Sequence, residues 1–145
     1  MVNEDTINLL KECNSGTKMA VKSFDEVLDR VKSIKLKQIL EESKKKHEEI
    51  GDKTHQRLLE YNDKDKEPNP IAEAMSWMKI NMKYAMDSTD SEIAGLIMDG
   101  CNMGIKSVSK YLNQYKEADK EVKDMVDDLV KLEQKLMDEL RVFLN

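Results

Sequence analysis

Apolar side chains recur at intervals of three and four along most of this chain, the spacing of helices with one buried face. Ile7, Leu10, Cys13, Thr17, Val21, Phe24, Leu28 and Val31 predict a first helix over roughly residues 5–31. Leu36, Ile39, Leu40, Ser43, His47, Ile50, Thr54, Leu58 and Tyr61 predict a second over roughly 34–61, with Ser33 as its N-cap. The turn between them is only a few residues, so the two helices should pack antiparallel. A polar stretch from Asn62 to Asn69 leads into Pro70, which can open a shorter helix running to about Met86. Thr89-Asp90-Ser91-Glu92 reads as a capping box for a further long helix over roughly 90–116, with Ile93, Ile97, Cys101, Ile105, Val108, Leu112 and Tyr115 inward. Asp119 should cap a last helix to about residue 144, turned inward by Val122, Val126, Leu129, Leu132, Leu136, Leu140 and Phe143.

The pattern gives four long helices, each roughly 40 Å at 1.5 Å per residue. They form two hairpins, about 5–61 and 89–145, separated by about 27 residues. A connection of that length can run the whole bundle and bring the second and third long helices parallel. An internal repeat supports two related hairpins. Cys13-Asn14-Ser15-Gly16-Thr17-Lys18 matches Cys101-Asn102-Met103-Gly104-Ile105-Lys106 at an offset of 88 residues, and Lys22 and Lys110 continue the match. The expected fold class is all-α: one four-helix bundle of two antiparallel hairpins with a pseudo-twofold repeat. An extra helix lies in the long crossover between the second and third long helices.

Composition narrows the partners. At 145 residues, 37% charged and 39% hydrophobic, the chain suits one domain of amphipathic helices. A net charge of −5 argues against nucleic acid, and Lys44, Lys45 and Lys46 are framed by Glu41, Glu42, Glu48 and Glu49 as on a solvated helix face. No apolar run reaches the roughly 18–20 residues of a membrane span. The first residues lack the basic and apolar regions of a signal peptide. With two cysteines, this points to reduced thiols in a bacterial-type cytoplasm.

The repeated segment carries the most specific packing expectation. A glycine inside a helix costs about 1 kcal/mol relative to alanine. Its recurrence as Gly16 and Gly104 therefore suggests close approach of the first and third long helices. Cys13 and Cys101 read as small buried hydrophobes set apart along the bundle axis. Asn14 and Asn102 either bond neighbouring helices or face water. In the crossover, Met75, Met78 and Met82 share one helix face, while Trp77, Ile80 and Tyr84 lie off it. Those three either complete the packing or form a homodimer or partner surface.

The helical plan, the duplicated hairpin and the segments Leu9-Leu10-Lys11-Glu12-Cys13-Asn14 and Asp99-Gly100-Cys101-Asn102-Met103-Gly104 resemble a branch of the bacterial ferritin-like superfamily. In active members, a Glu from each of two helices and a Glu-x-x-His from each of the other two hold a pair of iron or manganese ions. Positions three apart face the same way, so both side chains reach the metals. This chain departs from that pattern. There is no carboxylate between Glu12 and Asp25, or between Asp99 and Glu117. Lys44 stands three residues before His47, and Leu136 three residues after Glu133. His47 and Glu133 remain as relic candidates, and His55 falls off the apolar stripe, toward solvent. The expectation is a non-enzymatic bundle with no cofactor and an apolar centre, poor in oxygen ligands. It would act through protein contacts. The alternative is an iron- or manganese-binding oxidoreductase with an atypical site from His47, Glu133 and Glu12, Glu42 or the cysteines. Fold resemblance alone is a weak warrant for it.

Overall fold

A computed structural model describes residues 3–61 and 88–145, which form a four-helix bundle. The helices are α1 (Glu4–Leu28), α2 (Ile34–Glu60), α3 (Asp90–Gln114) and α4 (Lys120–Leu140), followed by a 3-10 turn, Arg141–Phe143. The expected crossover helix, with Trp77, Ile80 and Tyr84, lies outside the described residues. Among those described, no helix is long and apolar enough to cross a membrane.

Caps set the helix starts. The Asn3 side chain accepts from Thr6 N–H, Ser33 from Leu36 N–H and Thr89 from Glu92 N–H, each satisfying a first-turn donor. Asp119 occupies the N-cap of α4 without a side-chain cap bond; its own N–H donates to Thr6 Oγ1 at 2.9 Å. Two ends come earlier than periodicity implies. α1 stops at Leu28 rather than Val31, because the chain turns to bring the Lys32 and Ser33 N–H groups onto the Asp90 carboxylate, at 2.9 and 2.8 Å. α4 tightens into its 3-10 turn after Leu140 rather than continuing to 144.

Those contacts also fix the chain path. The α1–α2 turn is bonded to the start of α3, so α2 and α3 begin at the same end and run parallel. At the opposite end, Asn3 Nδ2 donates to the Glu117 carbonyl at 2.7 Å and Glu117 N–H donates to Asp5 at 3.0 Å. The α3–α4 turn therefore sits on the start of α1, and α1 and α3 are antiparallel. Each hairpin's turn is clipped by the first turn of the other hairpin's leading helix.

An interval of 86 residues relates the two hairpins. It carries Glu4 to Asp90, Leu28 to Gln114, Ile34 to Lys120 and His47 to Glu133. The Cys-Asn-x-Gly-x-Lys copies, 88 apart, therefore stand two residues further along α3 than along α1.

Two apolar clusters fill the ends of the bundle. One holds Phe24, Val27, Leu36, Leu40, Ile93, Ile97, Leu136 and Leu140; the other holds Leu9, Leu10, Leu58, Val108, Val122, Val126 and Leu129. The centre is not the apolar layer expected from sequence. Asn14, Ser15, Thr17, Ser43, His47, Thr54 and Glu133 are all buried, and they form a polar belt between the clusters. Thr17, Ser43, His47 and Thr54 sit on helical stripes and Asn14 and Ser15 beside one, but only the packing of the helices brings them to one level.

A buried imidazole–carboxylate pair in the polar belt

His47 and Glu133 project from the middles of α2 and α4 and meet inside the bundle. His47 is fully buried and Glu133 only 7% exposed. His47 Nδ1 lies 2.7 Å from the Ser43 carbonyl oxygen, which can only accept, so Nδ1 carries a hydrogen. Its other nitrogen, Nε2, lies 3.1 Å from Glu133 Oε1. With Nδ1 committed to donating, that contact is attractive when one proton lies between the two atoms. The Phe24 ring meets the imidazole edge to face, centroids 5.2 Å apart, and shields this side of the pair.

Two residues of the α3 copy of the repeat complete the surroundings of Glu133. Cys101 hydrogen-bonds to the carboxylate; burial first, then the neighbouring Glu133 carboxylate, push its thiol pKa up. Gly104 leaves the space the carboxylate fills. A Cβ built on it would stand 3.3 Å from both Glu133 oxygens. This revises the sequence reading of Gly104, whose open side serves α4 within its own hairpin rather than α1. Gly16 is different again, because its Cβ would meet Val108 and Leu129 at ordinary distances of 4.0 and 3.9 Å. The tight approach in the first hairpin falls at Gly51, where a Cβ would lie 2.9 Å from Thr17 Oγ1. A glycine in α2 gave no repeat signal to point to it.

The remaining repeat positions diverge. Asn14 is buried and its Oδ1 accepts from Thr54 Oγ1 at 3.2 Å, tying α1 to α2, whereas Asn102 is exposed. Cys13 belongs to one apolar cluster and Cys101 to the other, and both thiols are free. Burial pushes the Cys13 thiol up to about 12. His55 is half-buried rather than turned to solvent. Glu12, half-buried, hydrogen-bonds to Tyr111, and burial raises its pKa. Glu42 is exposed and pairs with Lys46.

A di-metal carboxylate centre needs several oxygen donors from four helices converging on one point. Here Glu133 is the only buried carboxylate in the belt, and its oxygen is engaged by His47. Both His47 nitrogens already have partners. Among the described residues, no group of three or more His, Cys, Asp or Glu side chains is arranged to hold a metal ion. The residues present do not fit the two-ion group.

Fold and belt together define an all-α bundle built from two related hairpins around a buried polar pair. The chain belongs to the family described as Domain of unknown function (DUF2383), which matches residues 5–114. That span takes in Ser43, His47, Cys101 and Gly104 and ends before α4 with Glu133. No curated protein and no solved structure matches the chain.

Proposed function

We propose that this is a ferritin-like bundle of the bacterial cytoplasm in which a self-satisfied imidazole–carboxylate pair stands where related bundles hold metals, and that it acts through protein contacts as a homodimer. The parallel course of α2 and α3 and the equivalence of the two hairpins support the ferritin-like relationship. The observation that carries the non-metal reading is the mutual saturation of His47 and Glu133, with the Ser43 carbonyl as the third member. A ligand already spent on a protein partner must be released before it can bind an ion. Action through a surface is supported by Ile34 and Val142, large apolar residues 77% and 75% exposed at the same end of the bundle.

Elemental analysis after expression with iron, manganese and zinc supplied tests the first half. Far less than one ion per chain is expected, and near-stoichiometric metal that disappears in His47→Ala overturns it. Light scattering tests the second half against twice the 16.8 kDa chain mass, and a strict monomer at tens of micromolar overturns it.

A further inference from the structure

Residues at equivalent positions of two pseudo-symmetric hairpins oppose each other where the twofold axis crosses their interface. His47 and Glu133 are such a pair, 86 residues apart and 3.1 Å from one another across α2 and α4. Equivalent hairpins create a hazard. What packs well against the second hairpin resembles what packs against a copy of the first, so two chains can in principle exchange partners, like with like.

Several contacts between the hairpins would survive such an exchange, although the exposed Arg57–Glu121 ion pair would not, since Lys35 is the first-hairpin counterpart of Glu121. The turn clips are reciprocal: Asp90 takes the N–H groups of Lys32 and Ser33, while Asp5 and Thr6 take those of Glu117 and Asp119. A first hairpin could offer Asp5 and Thr6 to the turn of its own copy. The apolar stripes of α2 and α4 also correspond, with Leu36, Leu40, Ser43 and Thr54 equivalent to Val122, Val126, Leu129 and Leu140, all buried.

The central pair does not survive it. Two first hairpins would set His47 against a second His47, each with Nδ1 committed to a Ser43 carbonyl. At no proton count is that contact both neutral and bonded: without a shared proton two lone pairs face each other, and with one the buried site carries an uncompensated charge. Two second hairpins would bury two carboxylates face to face. With a single shared proton, only the pairing of unlike hairpins is both neutral and bonded; two carboxylates would have to take up a second.

We infer that the His47–Glu133 pair selects the chain's own second hairpin, and rejects the first hairpin of another copy, as the partner that completes each bundle. A buried polar pair used to fix which helices associate costs stability relative to a packed apolar core, and replacing both members with hydrophobes often leaves stability equal or higher.

The decisive variant of the full chain is therefore His47→Leu/Glu133→Leu, in which both hairpins carry the same residue at the axis. Wild type and variant are unfolded in urea, refolded at protein concentrations from about 10 μM to about 1 mM, the order of the effective concentration within one chain, and compared by light scattering and urea melts. The variant should melt at the same or higher urea. It should also show an exchanged two-chain species, whose chains do not redistribute with labelled chains unless urea is added, at least about tenfold more abundant than in wild type at the highest concentration. A variant that folds and shows no more of this non-redistributing species than wild type at every concentration overturns the inference. So does a variant that fails to fold, because the pair is then required for folding itself and not for choice of partner. The swapped variant His47→Glu/Glu133→His, complementary again, should return the distribution to that of wild type. An exchanged pair separates only by unfolding, whereas a dimer held by surfaces redistributes its chains while folded, so this readout stands apart from whether the native protein is a dimer or a monomer.

Discussion

Substituting Gly104 with alanine sets two opposed effects against each other at one atom. In an open helical position the change stabilises by about 1 kcal/mol, because alanine loses less backbone freedom on folding. At Gly104 the new methyl would stand 3.3 Å from both Glu133 oxygens, closer than carbon and oxygen comfortably pack. The carboxylate must retreat by a few tenths of an ångström, yet it is held by His47 at 3.1 Å and by the Cys101 thiol. A buried hydrogen bond to a charged group is worth about 1.5–3 kcal/mol, so weakening this one outweighs the helical gain. Gly104→Ala should therefore destabilise by about 1 kcal/mol, whereas Gly16→Ala, with neighbours at 3.9 and 4.0 Å, should stabilise by about 0.5–1 kcal/mol. Urea denaturation followed by circular dichroism reads both, with the slope checked for constancy. A cycle isolates the cause: in a Glu133→Ala background Gly104→Ala should become stabilising, giving a coupling of about 2 kcal/mol. If Gly104→Ala stabilises the wild-type chain as much as Gly16→Ala does, Glu133 does not occupy that space and the account of the pair is wrong.

Other consequences are open to simple measurement. The Cys13 thiol, at about 12 when folded, keeps its proton where the unfolded chain, near 8.5, has lost it. Its contribution is thus fully present below about pH 8.5 and lost as pH rises toward 12, at about 1.4 kcal/mol per unit. Melts from pH 7 to 10 should show Cys13→Ala with a shallower alkaline decline than wild type, and equal slopes would contradict the burial. Both thiols should resist Ellman's reagent at pH 8 until urea is added, since only a thiolate reacts; rapid labelling of the native protein refutes this. Asp90→Ala removes the acceptor for two turn N–H groups and should cost about 1–2 kcal/mol. Asp90→Asn should recover part of that, and a neutral Asp90→Ala would show the clip to be idle.

Much of this architecture is legible in the amino-acid sequence. The stripes placed four helices within a few residues of their ends, and Ser33 and Thr89 stood out as caps because short polar side chains before an apolar run have one obvious job. The inward position of His47, and of Glu133 beside its stripe, followed from the same spacing. The polar belt did not. Ser43, Thr54 and Thr17 each sat on a stripe and Asn14 beside one, but periodicity along one helix says nothing about which residues of neighbouring helices share a level. Nor could identity locate the symmetry. The repeated motif suggested 88 residues, while caps, turns and the central pair repeat at 86. Gly104 misled for a related reason: a gap in side-chain volume is visible in sequence, but what fills it is a matter of tertiary packing.

The reciprocal clips bear on how the molecule comes apart. Each turn completes its bonding only when the opposite hairpin is seated, so fraying of one end releases donors and acceptors belonging to both halves at once. Neither half can loosen as a private event. Heat or denaturant should accordingly find a single cooperative transition, with hydrogen exchange in α2 and α4 slowing to one common limit instead of two.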